Sequence, residues 1–149
     1  MRISTRGQYG IRAMLELALH NQEGPVTLRT IAEQQQLSEP YLEQLIAMLR
    51  KSGLVASVRG AMGGYNLTRD PADIKIGEIL RVLEGPIAPV DCVVDDGGSD
   101  ACHLSEHCAT RILWQRLRDS MVEVLDSTTL ADLIYDYYHL QGSNPTYYI

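Results

Sequence analysis

Ser38-Glu39-Pro40-Tyr41-Leu42-Glu43-Gln44-Leu45-Ile46-Ala47-Met48-Leu49-Arg50-Lys51-Ser52-Gly53 runs directly into Leu54-Val55-Ala56-Ser57-Val58-Arg59-Gly60-Ala61-Met62-Gly63-Gly64-Tyr65-Asn66-Leu67-Thr68-Arg69. The first part reads as a helix. Ser38 can cap it, Glu39 and Pro40 suit its first turn, Leu42, Leu45, Ile46 and Leu49 recur at helical spacing, and Gly53 stops it. The period then changes. Residues 54–59 and 65–69 are β-prone runs around a glycine-rich turn, which predicts a β-hairpin with a long tip.

Upstream, Ser4 or Thr5 can cap a helix over about 7–20, whose stripe is Ile11, Met14, Leu15, Leu17, Ala18 and Leu19. Gly24-Pro25 ends it. Thr27 opens a short helix with Leu28, Ile31 and Ala32 inward, and Leu37-Ser38 makes the turn into the quoted segment. Two short helices joined by a tight turn outline a helix-turn-helix, and a hairpin directly after it is a wing.

Downstream, Pro71 breaks the chain before an amphipathic segment at 76–84, closed by Gly85-Pro86. No period persists from 87 to 108, and all three cysteines lie there. A long helix follows at about 109–125. Its apolar set of Ile112, Leu113, Leu117, Met121, Val124 and Leu125, broadened by Trp114 and Val122, covers more circumference than one small domain needs. A partner subunit is the simplest supplier of the missing surface. Thr128 or Thr129 caps a last helix through Tyr138.

The expected fold class is therefore mainly α: a winged helix-turn-helix DNA-binding domain with a β-hairpin wing, plus a long C-terminal dimerisation helix. The expected organisation is a winged helix at 1–85, a cysteine-bearing loop at 86–108, and the dimerisation helix, final helix and tail at 109–149.

With 45% hydrophobic and 21% charged residues, the 149-residue chain can build a core. No run approaches the roughly 18 apolar residues of a membrane helix, and the opening residues carry no secretory signal. The expected location is cytoplasmic, with no membrane partner. A net charge of −6 argues on its face against a nucleic-acid binder. The charge is divided, however: residues 1–69 balance to +3 and residues 70–149 to −9. One half can face a polyanion.

A reading helix must present side chains to base edges from its first turns. Here these are Glu39, Tyr41, Glu43 and Gln44. Gln44 can pair with adenine, Glu43 can accept from the cytosine amino group, and Tyr41 can donate to phosphate. Two carboxylates near phosphates penalise bulk DNA. Arg59 stands where the wing meets its turn and suits a narrow minor groove, while Gly60, Gly63 and Gly64 allow close backbone approach. Arg2, Arg6 and Arg12 can neutralise flanking phosphates.

Cys92, Cys102 and Cys108, with His103 and His107 in the same stretch, form the other constellation. An odd count in a cytosolic chain argues against a disulfide framework. Three sulfur ligands with one nitrogen or oxygen ligand suit zinc or an iron-sulfur cluster, and spacing alone does not separate them. No paired acid and base, phosphate loop or activated nucleophile is evident, so the chain reads as a regulator and not an enzyme. The alternative of another class is a small iron-sulfur electron carrier or thiol enzyme.

Met1-Arg2-Ile3-Ser4-Thr5-Arg6-Gly7-Gln8-Tyr9-Gly10, Tyr41-Leu42-Glu43-Gln44-Leu45, the wing 58–65 and Gly77-Glu78-Ile79 together resemble the Rrf-type winged-helix transcription regulators. Three cysteines ahead of a helix carrying Leu113-Trp114 are similar to the family's iron-sulfur cluster regulators (IscR type) and nitric-oxide sensors. The resemblance implies a homodimer with crossed long helices on palindromic double-stranded DNA. It also implies a labile cluster, most often 2Fe-2S, on Cys92, Cys102 and Cys108, and control of cluster-biogenesis genes.

This chain departs from that pattern in two ways. The cluster regulators keep five residues between successive cysteines and a histidine three positions after the last. Here the first gap is nine and that position is Arg111, which leaves His107, or else His103, as the fourth ligand. Gln8 stands where the nitric-oxide sensors carry an acidic ligand. Residues 83–90 and 124–130, with the ending Tyr148-Ile149, are instead similar to the family's cysteine-metabolism repressors, which lack a cluster and partner cysteine synthase. A carboxylate at Ile149 could be captured by backbone amides of such a partner.

Overall fold

The computed structural model describes residues 1–95 and 106–142. It contains six α-helices: α1 (Thr5–Leu19), α2 (Leu28–Gln35), α3 (Glu39–Lys51), α4 (Ile76–Glu84), α5 (Ala109–Ser127) and α6 (Leu130–Gly142). Among the described residues, one antiparallel pair, β1 (Val55–Val58) with β2 (Gly64–Leu67), and two short 3-10 helices, Pro71–Asp73 and Asp91–Val93, accompany them.

The first three helices begin where hydroxyl chemistry predicts. Ser4, Thr27 and Ser38 are their N-caps, accepting from the backbone N–H of Gly7 at 3.2 Å, Thr30 at 3.1 Å and Tyr41 at 3.3 Å. Each bond satisfies one of the amides that a helix start leaves without an internal partner. Helix α2 ends at Gln36, which takes the left-handed conformation at φ 55° and turns the chain into α3.

Inward stripes from these helices form one core. Met14 and Leu17 of α1, Ile31 of α2, Leu42, Leu45, Ile46 and Leu49 of α3, and Ile79 and Leu83 of α4 are all buried in it. Helices α1 and α4 meet closely because Gly10 has no side chain: a Cβ there would stand 2.0 Å from Leu83 Cδ1.

The hairpin pairs Val55 with Leu67 through Val58 with Gly64. The paired strands are shorter than the β-prone runs. The pair also gains a third member that the sequence pattern does not announce. Val26, just before α2, exchanges backbone hydrogen bonds with Tyr65 at 3.0 and 2.8 Å, which ties the wing to the helix-turn-helix. Gly64 makes this approach possible, since a Cβ there would lie 2.5 Å from the Val26 carbonyl oxygen.

The C-terminal half attaches at one place in particular. Ile76 N–H donates to Thr128 O at 2.9 Å and Leu130 N–H to Ile74 O at 3.0 Å, around a bridge between Lys75 and Thr129. Leu130 is thereby fully buried in the winged-helix core, with Leu133 and Ile134 packed partly against it. Helix α5 is different: none of its 19 residues is buried.

Candidate nucleic-acid interface

Helix α3 divides as its sequence predicts, with its four leucine and isoleucine positions inward and Glu39, Pro40, Glu43 and Gln44 exposed. Tyr41 is half-buried. Its ring meets the Tyr9 ring edge-on, with centroids 6.0 Å apart and planes at 88°, and the Arg12 guanidinium lies 5.3 Å from the Tyr9 centroid. This stack, of a kind that prefers edge-to-face geometry, fixes how α3 sits on α1. Ser4, Arg6, Tyr41 and Gln44 line one shallow cleft, so the start of α1 and the exposed face of α3 share a surface.

Arg12 does not stand free on that surface. Its Nε donates to Gln35 Oε1 at 3.0 Å and a second guanidinium nitrogen donates to the Gln35 carbonyl, joining α1 to the end of α2. Gln35 in turn donates to Glu16 Oε2 at 2.7 Å, and His20 Nε2 lies 3.2 Å from Glu16 Oε1. Glu16 is only 6% exposed, and these partners are why a carboxylate can sit inside the α1 stripe. His20 is held above its ordinary pKa, first by its hydrogen bond to Glu23 and then by that to Glu16.

Among the other arginines, Arg50 and Arg116 are exposed with no ion pair among the described residues, and two further groups are distinct from them. Arg29, Arg69, Arg81 and Arg118 are spent on ion pairs within the chain. Arg2, Arg6 and Arg59 are exposed, and no ion pair among the described residues holds them. These are the arginines the sequence assigns to phosphates and the minor groove.

In the wing, Gly60 takes φ +112° with open space around its Cα, and Met62 is 88% exposed at the tip. Gly63 answers to the turn itself. Its N–H bonds to Gly60 O at 3.0 Å, and a Cβ would meet Val58 O at 2.2 Å.

At the other end of the molecule, Cys92 and Cys108 are both half-buried beside the first turn of α5. Arg111 stands between them: its Nε donates to the Cys92 carbonyl at 3.3 Å, while its backbone N–H serves Cys108. The Thr110 hydroxyl, 3.0 Å from Cys108 Sγ, and then that amide hold the Cys108 thiol below its ordinary pKa. The thiolate so favoured is the metal-binding form. Arg118 carries the same segment by donating to Val93 O at 2.7 Å.

Cys102 and His103 lie outside the described residues, as do Tyr148 and Ile149. Among the described residues no three acidic, histidine or cysteine side chains cluster as a metal site. The two described sulfurs fit a cluster by chemistry. Arg111, with no lone pair to offer, does not.

A transcription-regulator family model, described as Rrf2, iron-dependent transcriptional regulator, matches residues 3–136. This chain belongs to the Rrf2 family. It is a DNA-binding transcription regulator and not an enzyme. Among Rrf2 relatives, the chain is 53% identical over 133 residues to the regulator CymR of Bacillus subtilis (strain 168), covering 89% of each. It is 42% identical over 134 residues to the regulator IscR of Serratia proteamaculans (strain 568), covering 90% of this chain and 79% of that one. The solved structure of T. potens IscR superposes with a TM-score of 0.79 at 49% identity, covering 100% of this chain and 97% of that one. Similarity to both kinds of Rrf2 regulator agrees with the mixed features of the sequence.

Proposed function

We propose that this Rrf2 regulator is a homodimer that places two winged helices on a palindromic DNA site. An iron-sulfur cluster on Cys92, Cys102 and Cys108 sets its DNA-binding state, and it controls cluster-biogenesis genes. It acts in the cytoplasm, with 1–85 reading DNA, 86–108 holding the cluster and 109–149 dimerising. In this reading Gln44 and Glu43 meet base edges, Glu39 repels bulk DNA, Tyr41, Arg2 and Arg6 meet phosphates, and Arg59 enters the minor groove with Gly60, Gly63 and Gly64 giving the wing its close approach. His107 supplies the fourth ligand, with His103 the other choice.

The observation that carries the sensing half is that two of the three cysteines lie by the start of α5, Cys108 as its N-cap and Cys92 held there through its carbonyl by Arg111. When bound, a 2Fe-2S cluster supplies a labile, oxidisable group there. The residues of this chain do the rest. Arg111 and Arg118 fasten the Cys92 segment to α5, and the paired oxygens of Asp126 fasten α5 to Arg81 of α4 at 2.8 and 2.9 Å. Ordering of the 92–108 segment therefore reaches the winged helix through a continuous set of contacts.

Arg111 and the 53% identity with CymR favour a second reading. In it the chain is a CymR-like repressor of cysteine metabolism that takes its input from cysteine synthase through Tyr148-Ile149. Metal and sulfide analysis of anaerobically purified protein separates the two. Coloured protein with iron and acid-labile sulfide is expected; stoichiometric zinc, or neither metal, overturns the cluster reading.

A further inference from the structure

Residues 1–4 precede α1, with the Ser4 carbonyl accepting its first helical hydrogen bond, from Gln8 N–H at 3.0 Å, and they are also held from eighty residues away. Ser4 N–H donates to Glu84 Oε1 at 2.7 Å, and the Ser4 hydroxyl donates to the same oxygen. That hydroxyl also accepts from Gly7 N–H and so caps α1. Gln8 Nε2 closes the loop by donating to the Ile3 carbonyl at 2.8 Å.

Glu84 is the last residue of α4, so its place is set by the buried Ile79, Leu80 and Leu83 of that helix. Gly7 lets the carboxylate reach Ser4: a Cβ at position 7 would stand 2.5 Å from Glu84 Oε1. Two residues past Ser4, Arg6 lines the cleft shared with Tyr41 and Gln44 of α3. An acidic side chain beside a surface meant for phosphate is electrostatically costly, and this one is exposed. A geometric role accounts for it.

We propose that Glu84 is a positioning residue for DNA binding: its carboxylate clamps Ser4, the N-cap of α1, and thereby holds Arg6 beside the exposed face of α3 and Arg2 just ahead of α1. The proposal rests on the assignment of Arg2 and Arg6 to phosphate contacts. The clamp steadies the first turn of α1, which carries Arg6, and the residues ahead of it, which carry Arg2 and would otherwise fray, and each cation so fixed adds to the counterions released on binding.

The role separates from that of a local charge. Removing a negative charge near DNA raises affinity, whereas removing a clamp lowers both affinity and salt dependence. Glu84→Gln loses the charge but keeps an acceptor for Ser4, and Glu84→Ala loses both. Gly7→Ala tests the same clamp without touching Glu84: alanine favours the helix by about 1 kcal/mol over glycine, but its methyl displaces the carboxylate.

The probe is a fluorescently labelled duplex selected from a random pool by the unaltered full chain, titrated between about 50 and 200 mM salt. Arg6→Ala should reduce the salt slope by about one. Glu84→Ala and Gly7→Ala should each reduce it by about one to two, and Arg6→Ala should have no further effect in either background. Glu84→Gln should restore the slope. Thermal unfolding of each variant checks that the fold persists, and Gly7→Ala carries the test if Glu84→Ala unfolds.

If Arg6→Ala lowers the slope while Glu84→Ala and Gly7→Ala do not, the clamp is wrong and the phosphate assignment stands. Equal losses for Glu84→Gln and Glu84→Ala also overturn the clamp. If neither Arg2→Ala nor Arg6→Ala changes the slope, the phosphate assignment falls and takes the clamp with it.

Discussion

Helices α3 and α5 are both long and both carry leucine and isoleucine at helical intervals, yet one is half inside the protein and the other is not. All four apolar anchors of α3 are buried, whereas α5 leaves Ile112 61% and Val124 63% exposed and buries no residue. Propensity does not explain the difference, because packing of an apolar face supplies most of a helix's stability in a protein. The winged helix closes its own core with α1, α2, α4 and the buried Leu130 of α6. Helix α5 has an equivalent stripe, of which Leu125 packs partly against that core while Ile112, Leu113 and Val124 stand exposed among the described residues. Among the described residues the winged helix buries its own apolar face, whereas α5 leaves part of its face open to a second surface.

The largest expected effects test that contrast directly. Ile79→Ala, at a fully buried position, should lower unfolding free energy by about 2–5 kcal/mol in urea denaturation. Leu113→Asp, at a half-exposed position on α5, should leave the winged-helix core intact and convert the proposed dimer to a monomer in sedimentation. Its affinity for a two-site duplex should fall by about 100-fold or more, because the second winged helix is no longer tethered, while single half-site affinity is kept. A Leu113→Asp protein that stays dimeric would break the comparison.

Smaller effects distinguish the two kinds of contact within the reading half. Arg59→Ala should weaken binding on all sequences and reduce the salt slope by about one. Glu43→Ala should leave the slope nearly unchanged and relax preference at one base pair by about 1–3 kcal/mol. Sequence profiling of bound duplexes at fixed salt reads both. An unchanged profile for Glu43→Ala removes it from the base-reading set.

The same contrast marks what the sequence could reveal. Caps were legible because Ser4, Thr27 and Ser38 act on amides three residues away. The hairpin was legible because a glycine-rich turn stood between two β-prone runs. The wing's third member was not, since Val26 joins it through a single bridge that needs no pattern. Glu16 was hidden for a related reason: a carboxylate breaks the apolar stripe of α1, and only the arrival of Gln35 from α2 makes it a buried residue. Among the arginines that the sequence offers to phosphates, Arg12 differs from Arg2 and Arg6 because it donates to Gln35, a partner that no local pattern announces. The wide apolar face of α5 was legible as a helical stripe, and Ile112, Leu113 and Val124 of it stand exposed among the described residues.

The smallest effect concerns the seam between the two halves. Gly77 allows α4 to lie against the end of α5, since a Cβ there would stand 1.9 Å from Asp126 Oδ1, and Arg81 grips both oxygens of that carboxylate. Both partners are partly exposed, so the pair contributes about 0.2–1 kcal/mol. Its pH dependence follows from the Arg81 hydrogen bond and charge, which lower the Asp126 pKa despite some desolvation. A depressed folded-state carboxyl stabilises fully above its unfolded value, near 4, and that contribution is lost as pH falls through the folded value. Asp126→Asn should therefore cost a few tenths to about 1 kcal/mol at pH 7, with the gap to the unaltered chain closing under acid and narrowing in high salt. Denaturation across pH 3–7 checks the sign. If the same substitution also changes DNA affinity at pH 7, the seam transmits between the halves; if only stability moves, it merely fastens them.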